Sequence, residues 1–584
     1  MKWNLTHFYN SVPEWEHDYN EIKERINNLA NYQGTLNDKE NFKNAHLEIN
    51  NIMLKLGAVY SYASLGFDLN MKNDENGSRA QQARLLFSLF GQATSWYAPE
   101  ILSLGKEKVL SFVDSMPELS EFRFGFEKLF RSQEHVLDNQ GESILANFSS
   151  ISHFGELYNA LAVGDGVPKA VKLSNREVNV TDGNFRSLIA DSKDANDRRL
   201  IFEAEYTKYV NNKNTYAGIY NLVLKADWAN AKSRNYSSSL ESFLFDNNIP
   251  TSVFTSLIDV TGKYNEGLKR YYQIRKDYFH LEKHHTYDRF LSMAESNKKY
   301  TYEEAKELFF DSIKNMPEEF ILKAHDVLKD GFVDVMETEG KQTGAYSSGF
   351  FGYHPFILLN FDGTLDSCFT LAHEAGHSIH TEFSNEYQPQ STADYEIFVA
   401  EIASTFNEHM LLDYLIQKTT SKNEKTVLLE QAINDICATF YRQALFATYE
   451  YKAHKLVEEG KAVTANSLSQ IMIDLYKQYY DIDITEENGK QYVWAYIPHL
   501  TKTPFYVYQY ATSYSASLKL YEDIKNNIPG AMDKYLGLLK SGGSDYPVNL
   551  VKKAGVDLTT AEPFMAVVRR LDNLLDELEK TLKN

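Results

Sequence analysis

Two histidines that stand four residues apart, His373 and His377, are the side chains best suited to metal chemistry in this chain. They occur in the order His-Glu-x-x-His, with Glu374 between them. On a helix, residues four apart lie one turn above each other on the same face. Both imidazoles can therefore reach one metal ion, at roughly 2.0–2.1 Å from it. Glu374 then lies beside the ion, where it can take a proton from a water that the metal activates.

The residues around this motif favour a buried metal site over the simpler alternative, a helix with two core histidines and a surface glutamate. Apolar or small side chains surround the polar ones: Phe369, Leu371, Ala372, Ala375 and Ile379. Gly376 within the motif costs about 1 kcal/mol of helix propensity relative to Ala. We therefore expect another segment to pack closely against the helix at Gly376.

A third metal ligand is expected, because a catalytic zinc usually has three protein ligands and one open position. Glu401 is the best candidate, since it lies in the apolar run from Phe398 to Phe406. The alternative is an ordinary helix that keeps its acids on a solvated face. Glu408 lies two turns further on the same face. It can accept the hydrogen bond that a ligating histidine makes with its second nitrogen, which favours the metal interpretation for both acids.

The composition and charge restrict the classes of partner. The 584 residues include 60 Lys and Arg against 80 Asp and Glu, which gives a formal charge of −20. This balance argues against nucleic acids and anionic membranes as partners. No apolar run approaches the roughly 18 residues of a membrane span, and no secretory signal is visible. Only two cysteines occur, which excludes a disulfide framework and predicts a cytoplasmic location.

The chain as a whole is predicted to be mainly α-helical. Pro is scarce at 13 residues and Gly moderate at 29, while helix formers are spread throughout. A change from helical periodicity to turn-rich and strand-like sequence before residue 185 predicts two domains. The first is an N-terminal helical domain of residues 1–185, and the second is a catalytic helical domain of residues 186–584 that carries the metal motif.

A small β-sheet is predicted just before the metal helix. Between residues 331 and 361, glycine clusters alternate with β-branched and aromatic runs. We expect a glycine-rich loop at Gly344–Gly349 and a strand at Tyr353–Phe361. A strand in that place offers an edge with which an extended peptide can pair.

Five stretches are characteristic in combination: His373–His380, Phe398–Glu408, Gly344–Gly349, Tyr353–Asn360 and Tyr506–Thr512. They resemble the oligoendopeptidase F group, which belongs to the thimet oligopeptidase (M3) family of zinc metallopeptidases. The resemblance implies a mainly α, two-lobed helical metallopeptidase with a small β-sheet beside a deep central substrate channel. It also implies one Zn²⁺ per chain, with His373, His377 and Glu401 as ligands and Glu374 as general base and acid.

The Tyr506–Thr512 stretch, with His499 before it, supplies groups that can stabilise an oxyanion. Hydrolysis by an activated water builds a tetrahedral oxyanion, which a His or Tyr donor can stabilise. The resemblance gives this role to a His and a Tyr of this region, and we expect them to be His499 and Tyr510. Residues 501–504 (Thr-Lys-Thr-Pro) differ from the glycine-rich version of thimet oligopeptidase, and any one of the 39 Tyr can equally be a packing residue. Supporting or substrate-contacting roles are expected for Glu408, Tyr506, Tyr508, Gly344, Ala345, Tyr346 and His354.

Together with the resemblance, these residues predict a zinc metalloendopeptidase that hydrolyses internal peptide bonds of short oligopeptides. A dipeptide-releasing exopeptidase of the same family is one alternative, and a catalytically silent metal-binding protein that binds peptides is another. Structural zinc sites usually have four protein ligands, whereas only three are evident here, which favours the enzyme. A His/His/Glu site also binds manganese or cobalt, so zinc follows from the resemblance rather than from the ligand types.

Overall fold

The computed structural model describes residues 2–138, 140–142, 144–145 and 154–583. Contacts between residues divide the chain into two compact units, each built from three separate segments. The first comprises Met1–Glu134, Lys298–Tyr414 and Asp523–Gly555, and the second comprises His135–Asn297, Leu415–Glu522 and Val556–Asn584. This division into units does not test the domain boundary predicted at residue 185, which stays a prediction.

Helices dominate both units, which confirms the predicted mainly α fold. The α-helices that begin in the first unit are Val12–Asn28, Lys39–Leu69, Asp74–Thr94, Tyr97–Leu104, Lys106–Ser115, Arg123–Ser132, Tyr302–Ile313, Glu318–Val327, Leu365–Tyr387, Gln390–Ala393, Ile397–Lys418, Ala531–Leu539 and Pro547–Lys553. Its 3₁₀ turns are Leu5–His7, Leu29–Tyr32, Pro117–Phe122 and Gln133–His135. Among the described residues, no helix is both long and apolar enough to span a bilayer.

The second unit combines α-helices with shorter helical turns and one hairpin. Its α-helices are Phe154–Asn159, Phe185–Asp191, Ala195–Asn211, Lys213–Ser233, Ser239–Phe245, Thr251–Lys263, Glu266–Tyr278, Lys422–Asp435, Arg442–Glu458, Ala465–Tyr480, Val493–Tyr496, His499–Lys502, Tyr508–Lys525 and Glu562–Lys583. Its other helical segments are the π-helices Ala160–Gly164 and Ile436–Tyr441 and the 3₁₀ turns Thr286–Phe290, Ile484–Glu486 and Lys490–Tyr492. The strands Lys169–Lys172 and Glu177–Val180 pair antiparallel.

The predicted small sheet lies in the first unit and has three strands. Tyr353–Leu358 is central, paired parallel with Val333–Asp334 and antiparallel with Tyr346–Phe350. Two expectations about this region are therefore wrong. Most of the Gly344–Gly349 loop is an edge strand, and the strand predicted at Tyr353–Phe361 ends at Leu358 with a partner on each side. Because the central strand is paired on both sides, an added peptide would have to pair with an outer strand, and Tyr346–Phe350 is the longer of the two.

The metal motif lies on the helix Leu365–Tyr387, here called the His373 helix. Thr364 caps its N-terminus, where the hydroxyl oxygen accepts a hydrogen bond from the Ser367 N–H at 3.2 Å. The apolar flanks of the motif are buried as predicted, and Leu371, Ala372, Ala375 and Ile379 have no exposed surface.

Gly376 is the point of closest approach between the His373 helix and the helix Ile397–Lys418, here called the Glu401 helix. A Cβ atom at Gly376 would lie 2.7 Å from both the Ala403 carbonyl oxygen and the Ser404 Cα. These neighbours are backbone atoms, which cannot turn aside as a flexible side chain would. The close packing predicted at Gly376 is therefore confirmed, and it brings the two helices near enough to share a site.

We expect Gly376→Ala to lower the free energy of unfolding by about 1–3 kcal/mol, because the added methyl overpacks a rigid contact. Gly91→Ala is the matched control, since a Cβ at this helical glycine would meet no atom within 4 Å. The control should gain roughly 0.5–1 kcal/mol from helix propensity. Urea unfolding of both variants measures the difference, and a Gly376→Ala protein as stable as the wild type would contradict the packing argument.

In the second unit, a buried carboxyl group anchors the segment that leads into the predicted tyrosine stretch. Phe505 has a φ of 53°, which is unusual for a bulky residue. Its N–H donates a hydrogen bond to the Glu450 carboxyl at 2.7 Å, and its ring lies 4.5 Å from the ring of His454. Glu450 is only 1% exposed, and burial raises its pKa to about 8. This anchor fixes the backbone just before Tyr506.

The raised pKa of Glu450 makes stability depend on pH. A carboxyl whose folded-state pKa lies above its unfolded value stabilises the fold fully at low pH, and this contribution is lost as the pH rises towards about 8. Glu450→Gln cannot ionise but still offers an oxygen to the Phe505 N–H. We expect the stability of this variant, relative to wild type, to increase between pH 5.5 and 8.5 (roughly the window set by the two pKa values).

Urea midpoints at the two pH values, with the surface substitution Glu459→Gln as control, measure this change. A difference between Glu450→Gln and wild type that is the same at both pH values would contradict it.

Candidate active site

His373, His377 and Glu401 direct three ligand atoms towards one point. The two Nε2 atoms lie 3.2 Å apart, and the Glu401 Oε2 lies 3.5 Å from His373 Nε2 and 3.7 Å from His377 Nε2. Ligands placed tetrahedrally at about 2.0–2.1 Å from a zinc ion would be roughly 3.3–3.4 Å from one another. The observed separations are close to these values, so the geometry fits a single metal ion.

The charges around this group also fit a divalent cation. Burial opposes a charge on His373, but its hydrogen bond with Glu408 and the charges of the surrounding carboxylates outweigh burial and raise its pKa to about 9. Burial and the neighbouring charge of His373 lower the pKa of His377 to about 3. The group therefore stabilises positive charge at its centre, while the imidazole of His377 stays neutral, as a metal ligand must be.

Each histidine has a second polar partner, away from the common point. The His373 Nδ1–H donates to Glu408 Oε1 at 2.5 Å, so Nε2 faces the common point and offers its lone pair there when the ring is neutral. The Ala400 carbonyl lies near the imidazole of His377 and partly opposes the lowering of its pKa. Such partners orient ligating histidines and increase their basicity. The structure thus places Glu408 in the contact that the sequence suggested for it.

Glu374 lies beside the three ligand residues, but its carboxylate is not among the ligand atoms that converge on the common point. Glu374 is 6% exposed, and the backbone N–H of Ser347 faces its carboxylate and acts to lower its pKa. Burial raises the pKa of Glu374 to about 7, the charge of His373 opposes this rise, and the charge of Glu401 adds to it. A carboxyl group with a pKa near neutrality can both accept a proton and return it.

The edge strand turns the backbone N–H of Ser347 towards Glu374 and away from the central strand. Ile357 in the central strand donates its N–H to Phe332, so its neighbours Phe356 and Leu358 pair with the edge strand. The alternation of strand backbones then turns the N–H and C=O of Ser347 outwards to the free edge. A cavity of about 690 Å³ in the first unit opens here, lined by Ala345, Ser347, His373, Glu374, His377, Tyr395 and Glu401 among others.

The remaining predicted residues of the first unit lie in three different places. Gly344 has a φ of 84° and forms the turn before the edge strand, and Ala345 lines the cavity. Tyr346 also lines the cavity, but its hydroxyl donates to Asp68 at 2.6 Å. His354 stacks on the ring of Phe332 with 3.3 Å between ring centroids, which is a packing environment. The substrate-contacting roles of these residues stay predictions.

Tyr395 is a cavity residue that the sequence did not single out. Its hydroxyl lies 2.9 Å from Thr381 Oγ1 and 3.5 Å from the His377 carbonyl oxygen, and its ring stacks on His380 at 3.7 Å. Ser347 was missed as well, because a serine in a glycine-rich stretch gives no sign that its N–H meets Glu374. In the sequence, the position of Tyr395 shortly before Glu401 was the one sign that it lies near the site.

The predicted oxyanion residues belong to the second unit, where three of them form a ring cluster. The ring of His499 lies 6.1 Å from the rings of both Tyr506 and Tyr510, and these two lie 5.5 Å apart. Burial and the charge of Lys502 lower the pKa of His499. Tyr508 is separate, since it is 2% exposed and packs against Phe254. The catalytic roles of His499 and Tyr510, and the supporting or substrate-contacting roles of Tyr506 and Tyr508, stay predictions.

Comparison with known proteins identifies the family. Residues 188–569 match the family model described as Peptidase family M3, and residues 100–165 match the model described as Oligopeptidase F. The chain belongs to peptidase family M3. This confirms the resemblance seen in the sequence motifs, and membership implies metallo-oligopeptidase activity.

Relatives of this M3 peptidase are similar over nearly its whole length. Oligopeptidase PepF of Bacillus subtilis is 33% identical over 99% of this chain and 87% of its own. Group B oligopeptidase PepB of Streptococcus agalactiae is 34% identical over 99% of this chain and 96% of its own. Among solved structures, the oligoendopeptidase-F from Enterococcus faecium superposes with a TM-score of 0.76 at 30% identity, over 98% of this chain and 99% of its own. A putative peptidase from Chlamydophila abortus superposes with a TM-score of 0.91 at 33% identity, over 99% and 98%.

Proposed function

We propose that this M3 peptidase is a zinc metalloendopeptidase that hydrolyses internal peptide bonds of short oligopeptides. The observation that carries the proposal is the convergence of three ligand atoms, from His373, His377 and Glu401, beside the buried carboxyl group of Glu374. Two imidazoles and one carboxylate are a donor set typical of catalytic zinc with an open position. A zinc ion held there would supply a Lewis acid for the scissile carbonyl and lower the pKa of a water.

The proton transfers are assigned to Glu374. Its carboxylate takes the proton as the water attacks the scissile carbonyl, and then delivers it to the nitrogen of the leaving amine. The nearby backbone N–H of Ser347 stabilises the ionised form of this carboxylate. We assign stabilisation of the oxyanion to His499 and Tyr510 on the strength of the family resemblance, because both are hydrogen-bond donors.

The free edge of Tyr346–Phe350 is the proposed support for the substrate backbone. An extended peptide can pair with the outward N–H and C=O groups of such an edge, and side-chain identity matters little to these bonds. This arrangement suits an enzyme that accepts oligopeptides of varied sequence. The same strand carries Ser347, so peptide pairing takes place within reach of the Glu374 contact.

Backbone N-methylation of the substrate tests this pairing. Because successive N–H groups of a strand point to opposite sides, methylation should impair only alternate positions of the peptide. At a paired position we expect kcat/KM to fall about tenfold, which corresponds to the loss of roughly 1.4 kcal/mol, near the value of one hydrogen bond. Quenched fluorescent peptides methylated at one residue at a time measure the effect, and equal losses at every position would argue against strand pairing.

Product masses from one defined decapeptide test the proposed function itself. We compare the peptide with free ends and the same peptide acetylated and amidated. An endopeptidase cuts both peptides internally, whereas a dipeptide-releasing exopeptidase needs a free end and gives only dipeptides. Failure to cut the blocked peptide would overturn internal cleavage, and no cleavage of either peptide would favour a silent peptide-binding protein.

A cytoplasmic location is proposed on the state of the two cysteines. Cys368 and Cys437 are both free and buried. Burial raises the pKa of each thiol to about 12, which keeps both in the unreactive protonated form.

A further inference from the structure

A second cavity, of about 480 Å³, is lined entirely by residues of the second unit. Its size is in the range of small-molecule sites. Five of its lining residues are cationic: Arg186, Arg289, Arg442, Lys490 and Lys502. Three of these, Arg289, Arg442 and Lys490, lie close enough for their charges to act on one another. None of them belongs to the metal group or to the proposed proton transfers.

These three cations have no carboxylate partner among the described residues. The guanidinium group of Arg442 makes neither a hydrogen bond nor an ion pair with any residue that the structure describes. Lys490 is 2% exposed, and its ammonium group donates only to the Tyr206 hydroxyl at 3.3 Å. Arg289 donates to the Thr286 carbonyl at 3.5 Å, while its buried Nε–H has no acceptor in the described part of the chain.

The nearby carboxylates are engaged elsewhere. Asp182 lines the cavity but forms an ion pair with Lys208 at 2.5 Å. Glu487 attracts Lys490, yet its oxygens accept hydrogen bonds from the backbone N–H and the hydroxyl of Thr286. Burial and the charge of Arg442 lower the pKa of Arg289, and burial and the charge of Arg289 lower that of Lys490.

Lys490 is buried, and Arg289 and Arg442 are half-buried. Cations held out of water without a counter-charge destabilise a fold, and an anion in the cavity would offset this cost. The other walls of the cavity indicate which kind of body is attached to the anionic group. Tyrosine rings line much of it: Tyr158, Tyr206, Tyr209, Tyr476 and Tyr496. Flat aromatic walls favour a planar or apolar body attached to the anionic group.

Both π-helices in the described part of the chain border the cavity, since Ala162 and Val163 line it and Arg442 follows Ile436–Tyr441 directly. Such segments are frequent at functional sites.

We propose that this cavity binds a small organic anion. The guanidinium groups of Arg289 and Arg442, with the ammonium group of Lys490, hold its carboxylate or phosphate, and the tyrosine rings contact its body. Guanidinium groups suit both kinds of oxyanion because their paired N–H donors match two oxygens at once. His499 also lines the cavity, so a bound anion would lie beside a residue to which we assign a catalytic role.

Calorimetric titration of the full chain tests this site with three probes at constant ionic strength: phenyl phosphate, benzoate and the neutral benzamide. We expect one anion to bind per chain and benzamide to bind at least tenfold more weakly. The anion that binds with the higher affinity shows whether the cavity recognises phosphate or carboxylate. Arg442→Gln should weaken that anion at least tenfold, and Arg199→Gln, an exposed arginine paired with Glu203, should leave it unchanged.

Two results would overturn the proposal: no binding of either anion to the wild type, or equal affinity in Arg442→Gln and the wild type. Arg289→Gln provides a second variant if Arg442→Gln does not fold. Because the readout is binding, these outcomes do not depend on whether the chain cleaves internal peptide bonds.

Discussion

Glu374→Gln is expected to lose about 10²–10⁴-fold in kcat while its zinc content stays at that of the wild type. The substitution removes the proton acceptor but keeps the shape of the side chain and an oxygen for the Ser347 N–H. Glu374 is not among the three grouped ligand atoms, so metal binding should persist. KM should change little, because the proton transfer is needed in the transition state rather than in the bound substrate.

Glu386→Gln is the matched control for this experiment. Glu386 lies on the same His373 helix, but its side chain is 56% exposed and pairs with Lys323. This control should cleave a quenched fluorescent oligopeptide at the wild-type rate. If Glu374→Gln also cleaves at that rate, Glu374 is not the general base. If it loses zinc together with activity, its role is in metal binding instead.

His377→Ala is expected to lose both the metal and the activity. It removes one of the three donors and leaves the carboxylates of Glu374, Glu401 and Glu408 crowded around His373. We expect metal affinity to fall by more than the roughly 10- to 100-fold that loss of a supporting residue costs. Glu408→Gln removes such a support, the acceptor for His373 Nδ1–H, and should show that smaller loss.

Elemental mass spectrometry measures the metal content of each variant after dialysis against buffered zinc. We expect the metal content to be lowest in His377→Ala and higher in Glu408→Gln. His380→Leu is the control, since His380 lies on the same helix, is fully buried, and has no hydrogen-bond partner among the described residues for either ring nitrogen. It should retain its metal. Wild-type metal content in His377→Ala would remove His377 from the ligand set.

The parts of the site that the sequence predicted are those fixed by helical periodicity. The spacing of His373 and His377 sets their common face within one helix, and Gly376 indicated the close neighbour that proved to be the Glu401 helix. Glu408 then lies against His373 because two turns of helix carry it along the same face as Glu401. These are local relations, for which the sequence of one segment contains enough information.

The sheet was predicted less well because strand pairing is not local. Residues 347–349 (Ser-Ser-Gly) have low strand propensity, so the edge strand forms only through its hydrogen bonds with Tyr353–Leu358. The Trp3 indole N–H donates to the Ile357 carbonyl at 2.8 Å, which no spacing within residues 331–361 reveals. The unpaired cations of the second cavity were missed for the same reason, since Arg289, Arg442 and Lys490 are far apart in sequence.

Anomalous diffraction from crystals of the protein, recorded on both sides of the zinc absorption edge, tests the central claim most directly. We predict one strong peak per chain within about 2.0–2.2 Å of His373 Nε2, His377 Nε2 and the Glu401 carboxylate. Its height should fall below the edge, which separates zinc from cobalt and manganese. A zinc peak at another place in the chain, or no peak between these three side chains in crystals grown with zinc, would contradict the account.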